Sequence, residues 1–462
     1  MQHEMKAKIG LLPMYLELYD EVLPEVRKEF TPFIKRLQQE FESRSIEVVL
    51  ANICRLANEF EEAIHRFEAE DVDCIVTLHL SYSPSHECID ALSNTPLPLI
   101  VFDTTKDNRF DSASLIMGNH GIHGVQDMCN LLLRRGKDFF IEVGHIDSSD
   151  VLDKIETRIT GARLAKVFKE GRIGQVGGWF KGMGDFQVTS DVIADKLGFE
   201  VVQSTAEEFE PFLPRKDAPE VLAEMAKDHE RFDLSEVSES AHNASVVAGL
   251  ALRRWIEKEN LLGFTVNFLS ISRNAGLSQM PFLGIAKEMS RGIGYAGEGD
   301  VLTAALAGTV SRVLGSASFS EMFCPDWSTD TIFLSHMGEM NISLVDGQVV
   351  LYEKPWAFTD ADSPVCPSGC FKEGEAVLIN LAPGKNDTFS LIVSPVMMVG
   401  EMYGNAMEGK VRGWFKPRLS IIDFLKQYSL AGGTHHLVIA YGQPIGELIT
   451  FADIMKWNTV VI

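Results

Sequence analysis

Short apolar runs alternate with helix-sized polar stretches through the first two thirds of this chain, and after about residue 315 strand-like runs stand alone. That change of texture limits the architecture more than any other feature. In the first part the runs are KIGLL near residue 8, IEVVLA near 46, CIVTLHL at 74–80, LPLIVF at 97–102 and DFFIEVG near 138. Runs of this length separated by amphipathic stretches predict a parallel sheet with crossover helices, and Tyr19–Phe41 is expected to be one of those helices. A long amphipathic helix is predicted over 150–171, where Leu152, Ile155, Ile159, Leu164, Val167 and Phe168 recur at broadly helical spacing. A second alternation opens at IGQVGGW near 173, passes through VTSDVIADKLG and FEVVQ, and reaches TVNFLSI near 265. The later runs, among them DTIFLSHM, QVVLYEK, EAVLINLAPG, FSLIVSPVMMVG, KVRGWFKP and HHLVIAYG, are punctuated by turn residues and predict antiparallel pairing.

The expected fold class is therefore α/β: two parallel-sheet, Rossmann-like α/β domains followed by a C-terminal antiparallel β-barrel-like domain, divided as 1–170, 171–316 and 317–462. A chain of 462 residues is too long for one ordinary core, which agrees with several domains. Its 65 acidic and 42 basic residues give a formal charge of -23, which repels phosphate backbones and anionic lipid surfaces. Nucleic acid and membrane are not expected partners. The stretch MQHEMKAKIG lacks the basic-then-apolar layout of a secretory signal, and no apolar run approaches the roughly 20 residues that span a bilayer, so a cytoplasmic location is expected. Seven scattered cysteines make no disulfide framework. Cys366 and Cys370 in CPSGC have loose zinc spacing and no partner pair, and a turn holding two reduced thiols is the expected reading.

Two carboxylates and two histidines stand in distinctive surroundings: Glu298 in GYAGEGD, Glu321 in SFSEMF, His336 in LSHMGEMN, and one of the pair in GGTHHLV. Two oxygens and two imidazoles suit Mn²⁺, Co²⁺ or Fe²⁺, and carboxylates at such a site can also exchange protons with a substrate. Each has an ordinary reading when taken alone. A glutamate before a helix is commonly an entry acid, and a histidine in a strand is commonly a sheet-face residue. His435 and His436 enter an apolar strand, so alternation should send them to opposite sides, with at most one facing a shared site. The glycine-rich stretch 292–299 has neither a strand before it nor a Walker lysine after it, which argues against a nucleotide fingerprint. Its glycines instead allow backbone to crowd a buried Glu298 ahead of the helix DVLTAALAGTVSRVLG, whose dipole favours the ionised carboxylate.

In order along the chain, GYAGEGDVLTAAL, SFSEMF with LSHMGEMN, GGTHHLV and the terminal KWN resemble the hallmark segments of bacterial L-arabinose isomerases, within the L-fucose and L-arabinose isomerase superfamily. Fainter echoes are LHLSYSP (78–84), GNHGIHG (118–124) and TVNF (265–268). The resemblance implies a Mn²⁺ site of Glu298, Glu321, His336 and His436, the second of the adjacent pair. It implies that the two glutamates act as acid and base in moving a proton between C1 and C2 of an open-chain sugar through an enediol. It further implies substrate contacts at Tyr15, His120, His123, Met183 and Phe268, and a homo-oligomer, hexamer or trimer, in which Tyr15 and His123 serve a neighbour's site. For Met183 and Phe268, core packing is the ordinary alternative. Some positions depart from the family. Leu12 and Pro13 stand where it carries a glutamine, His120 replaces a second glutamine, and Cys324, Pro325 and Trp327 replace an aromatic and acidic pattern. Such changes alter hydroxyl recognition and leave the sugar open between L-arabinose and other aldoses such as L-fucose or D-galactose. An epimerase or lyase acting on a modified sugar would keep the same metal site, whereas a non-catalytic sugar-binding protein would not need both glutamates.

Overall fold

A computed structural model describes residues 6–315 and 317–462, without the side chain of Asn405. The first five residues, part of the stretch read for a leader, lie outside the described residues. The described residues form two compact units, divided between Lys166 and Val167.

The first unit holds β1 (Ala7–Met14), β2 (Ile46–Leu50), β3 (Cys74–His79), β4 (Leu99–Asp103) and β5 (Phe140–Val143), all parallel in the order β2-β1-β3-β4-β5. Every residue of β3 is buried, as expected of a central strand covered by helices on both faces, and this explains its unbroken apolar run. Leu12, Val49, Ile75 and Val101 from the sheet pack with Phe60, Phe67, Ile89 and Leu132 from the helices. The single helix expected over Tyr19–Phe41 is instead three pieces: Leu18–Val22, a 3₁₀ turn at Val26–Phe30, and a helix at Thr31–Ser43. Pro24 falls in the first break, where its missing N–H and its ring stop a helix. Pro32 sits in the first turn of the last piece, where proline is tolerated.

In the second unit, β6 (Arg172–Val176), β7 (Glu200–Ser204), β8 (Asp233–Glu236), β9 (Gly263–Val266) and β10 (Gly294–Gly297) follow. Four of them form a parallel sheet in the order β10-β9-β6-β7. VTSDVIADKLG shortens to one helical turn and a π-helical turn that ends at Gly198. The stretch 292–299 is preceded by the helix Phe282–Ser290, not by a strand, and contains β10 itself. Its small residues hide the strand signal but let the backbone pack against the helix Val301–Leu314: a Cβ on Gly294 would lie 2.2 Å from the Gly308 nitrogen.

The remaining strands are β11 (Ala317–Asp326), β12 (Thr331–Ser335), β13 (Val345–Glu353), β14 (Val365–Phe371), β15 (Gly374–Pro383), β16 (Phe389–Met398), β17 (Val411–Pro417), β18 (His436–Tyr441) and β19 (Asn458–Val461). Six of them close an antiparallel barrel, β16-β15-β18-β11-β12-β17 and back to β16, which leaves no free edge. From β17 the sheet continues through β14, β13 and β8. CPSGC is not a turn but lies within β14, where pairing with β13 overrides its turn-like composition. Burial pushes both thiols up to about 12, so they stay protonated, and all seven cysteines are free. Among the described residues, no helix is long and apolar enough to cross a membrane.

Candidate metal centre

β10 delivers Glu298 and the barrel delivers the rest. Glu298 follows the last residue of β10 with φ +64°, a left-handed conformation that costs about 1 kcal/mol for a residue with a side chain. Two hydrogen bonds hold it there: its N–H donates to the Val266 carbonyl (3.1 Å), and its carbonyl accepts from the Phe180 N–H (2.9 Å). Gly299 makes the approach feasible, since a Cβ there would lie 2.3 Å from the Gly178 oxygen. Asp300 then caps the helix Val301–Leu314 by accepting from the Thr303 N–H (2.9 Å), while its other oxygen meets His436 Nδ1 at 2.9 Å.

Strand register assembles the other groups. Glu321 on β11 lies opposite His436 on β18 and Ser335 on β12, and His336 comes directly after Ser335. Three adjacent barrel strands therefore place Glu321, His336 and His436 side by side, with 3.8 Å between Glu321 Oε2 and His336 Nε2. His336 Nδ1 lies 2.7 Å from Glu339, a buried carboxylate that also accepts from the Tyr295 hydroxyl and the Gly338 N–H. The Phe319 ring stands edge-on to both His336 and His436, and Phe186 stacks on His436 at 5.2 Å. These rings keep water from the imidazoles.

Strand alternation does not govern His435. Strand β18 begins at His436, so His435 precedes the strand and its side chain is not bound to the opposite side. Both Nε2 atoms face Glu298 Oε2, at 3.6 Å from His435 and 3.4 Å from His436, and ligand atoms of the three residues all lie within 4.8 Å of one another. Both Nε2 atoms are buried without a hydrogen-bond partner. His435 is held by Asp185, which takes its Nδ1 at 2.6 Å and its backbone N–H at 3.0 Å. Orphaned imidazole nitrogens aimed at a carboxylate, each ring fixed through its other nitrogen by an acid, fit a divalent cation. Burial works to raise the Glu298 carboxyl, but His435 and His436 outweigh it and bring it down to about 2. For Glu321 burial wins, and the group is raised despite His336 and His436.

Met183 is half-buried in the loop that also carries Asp185 and Phe186. Phe268 is buried among Phe180, Trp356 and Phe358, with ring centroids 5.2–6.1 Å apart. In the first unit Tyr15 follows β1, packs on Tyr19 and Phe30, and keeps a buried hydroxyl without a partner; burial pushes it up to about 12. His120 and His123 stand at the start of the helix Gly121–Arg135 with ring centroids 4.1 Å apart. Three acids behind the imidazoles escaped sequence reasoning. Asp300 and Glu339 carry a weak signal, two residues after Glu298 and three after His336; Asp185 carries none.

A family model described as the L-arabinose isomerase central domain matches residues 187–316, and one described as the L-arabinose isomerase C-terminal domain matches 316–458. The L-arabinose isomerase of Thermotoga maritima is 24% identical over 96% of this chain and 91% of its own length. That of Anoxybacillus flavithermus is 24% identical over 89% and 83%, and that of Geobacillus thermodenitrificans 25% identical over 89% and 84%. A solved periplasmic solute binding protein from Actinobacillus succinogenes with bound D-allose aligns over 67% of this chain at 11% identity, but its TM-score of 0.17 carries no argument.

Proposed function

Because this chain belongs to the L-arabinose isomerase family, we propose that it is a metal-dependent aldose–ketose isomerase, an intramolecular oxidoreductase acting on an open-chain sugar. Glu298, Glu321, His336 and His436 would hold Mn²⁺, with Co²⁺ or Fe²⁺ as substitutes. Such an ion would supply Lewis acidity to the sugar oxygens and so make the adjacent C–H more acidic. The chain's own groups then move the proton. One of the two carboxylates accepts it from C2 and returns it to C1, while the other passes the hydroxyl proton from O2 to O1, so that an enediol links aldose and ketose. In the metal-free chain the two carboxylates stand in different surroundings, His435 and His436 drawing Glu298 down and burial raising Glu321.

The observation that carries this reading is the pair of buried, partnerless Nε2 atoms facing Glu298. The reading commits to the reaction class. The sugar depends on positions that depart from the family, notably Leu12, fully buried in β1 where an amide would otherwise stand. Assembly as a cytoplasmic homo-oligomer, hexamer or trimer, with Tyr15 and His123 serving a neighbouring subunit, belongs to the same proposal, as do contacts from His120, Met183 and Phe268.

The test is a panel of aldoses and ketoses incubated with chelator-stripped and Mn²⁺-reloaded protein, followed by NMR for isomer formation and solvent deuterium at C1 or C2. Metal-dependent exchange with one sugar supports the proposal and names the substrate. Stoichiometric metal binding with no exchange on any unmodified sugar would replace it with another reaction or a derivatised substrate.

A further inference from the structure

We infer that His435, held by Asp185, is a fifth donor of the metal centre, so that three imidazoles and two carboxylates surround the ion. The inference rests on the metal-centre reading above and adds a ligand to it. The three histidines share one construction. His336 has Glu339 at Nδ1, His436 has Asp300, and His435 has Asp185, and in each the Nε2 is left towards Glu298 or Glu321. A carboxylate at one ring nitrogen fixes the tautomer that presents a lone pair at the other, which is the usual support of a metal-bound imidazole.

His435 is fixed through both its main chain and its ring. Asp185 Oδ2 holds both its backbone N–H (3.0 Å) and its Nδ1 (2.6 Å), so main chain and ring are pinned to one oxygen. The side chain retains 29% of its exposure, yet the Nε2 atom itself is buried with no hydrogen-bond partner. Its 3.6 Å to Glu298 Oε2 is too long for a hydrogen bond, as is the 3.4 Å from His436 with no hydrogen bond made. Donors each about 2.1 Å from one ion stand roughly 3–4 Å apart; His435 and His436 lie 3.6 and 3.4 Å from Glu298 Oε2, and ligand atoms of these three residues all fall within 4.8 Å of one another. A third imidazole also makes the donor set richer in nitrogen, which favours Co²⁺ or Fe²⁺ over Mn²⁺.

The experiment strips the full-length protein with chelator and titrates wild type, His435→Gln and Asp185→Asn with Mn²⁺ and with Co²⁺ by calorimetry. Pulsed EPR of the Mn²⁺-loaded samples counts coupled imidazole nitrogens, and melting of the metal-free proteins confirms that each variant is folded. The expected results are one ion per wild-type chain with three coupled imidazoles, falling to two in His435→Gln. That variant should weaken Co²⁺ binding roughly 10–100-fold and Mn²⁺ binding less, and Asp185→Asn should weaken Co²⁺ about tenfold. Two coupled imidazoles in wild type and variant alike, with unchanged Co²⁺ to Mn²⁺ preference, would overturn the fifth donor and leave the metal centre standing. Absence of stoichiometric binding by wild type would remove the metal reading itself, and this inference with it.

Discussion

His79 in the first unit and His436 in the second are both sealed from solvent, yet their environments carry them in opposite directions. His79 has only the Ser83 hydroxyl at Nδ1 (2.7 Å), and burial pulls it down to about 3 against a weak opposing pull from Asp127. His436 meets the same penalty of burial, but Asp300 and Glu298 outweigh it and the group ends above its ordinary value. His336 behaves like His436 through Glu339. Burial alone yields a neutral packing group. An acid behind the ring fixes its orientation and makes it a better acceptor of positive charge, so the partner of the far nitrogen, more than the depth, separates the two kinds of buried histidine.

The strongest way to break that contrast is at the carboxylates the second-unit histidines face. Glu298→Gln and Glu321→Gln should each lower turnover by about 10²–10⁴-fold while the thermal unfolding of the metal-free protein stays near that of wild type. Removing the acids behind the rings comes next: Glu339→Gln and Asp300→Asn should weaken metal binding about 10–100-fold by calorimetry, and retention of full affinity in both would show that the backing acids do not orient the donors. Within the adjacent pair, His436→Ala should weaken metal binding more than His435→Ala, because His436 is fully buried and its loss strands Asp300; equal losses would contradict that ranking.

The smallest effect concerns His79. Its folded value of about 3 lies below the ordinary 6.5, so the unfolded chain binds the extra proton between those values, and the stability it contributes is complete above pH 6.5 and lost as pH falls towards 3. His79→Gln should therefore lose about 2 kcal/mol less stability than wild type between pH 7 and pH 5, measured by urea melts. An unchanged difference would mean that His79 is not held neutral by burial.

Much of this was legible because it depends on local pattern. The apolar run of β3, the alternation through β6, β7 and β9, and the turn-separated strands of the barrel each express a periodicity that burial imposes on sequence. Glu298 was legible from its glycines, which are needed wherever backbone must approach at φ +89° as Gly299 does. Other features were not. CPSGC has the composition of a turn and becomes strand because β13 pairs with it. The helix expected over Tyr19–Phe41 breaks at Pro24, where local apolar spacing gives way to a residue that cannot continue a helix, and restarts at Thr31 with Pro32 in its first turn.

Sequence by itself determined which side chains could hold a cation and which segments would become sheet or helix, since residue chemistry and hydrophobic period are local properties. Only the tertiary structure decided which of them meet. Glu321, His336 and His436 come together through the antiparallel register of three barrel strands, and Asp185 reaches His435 across 250 positions of sequence. Whether His435 turned away from the site or towards it depended on where β18 begins, and a strand's first residue is fixed by its pairing partners, not by its own side chain.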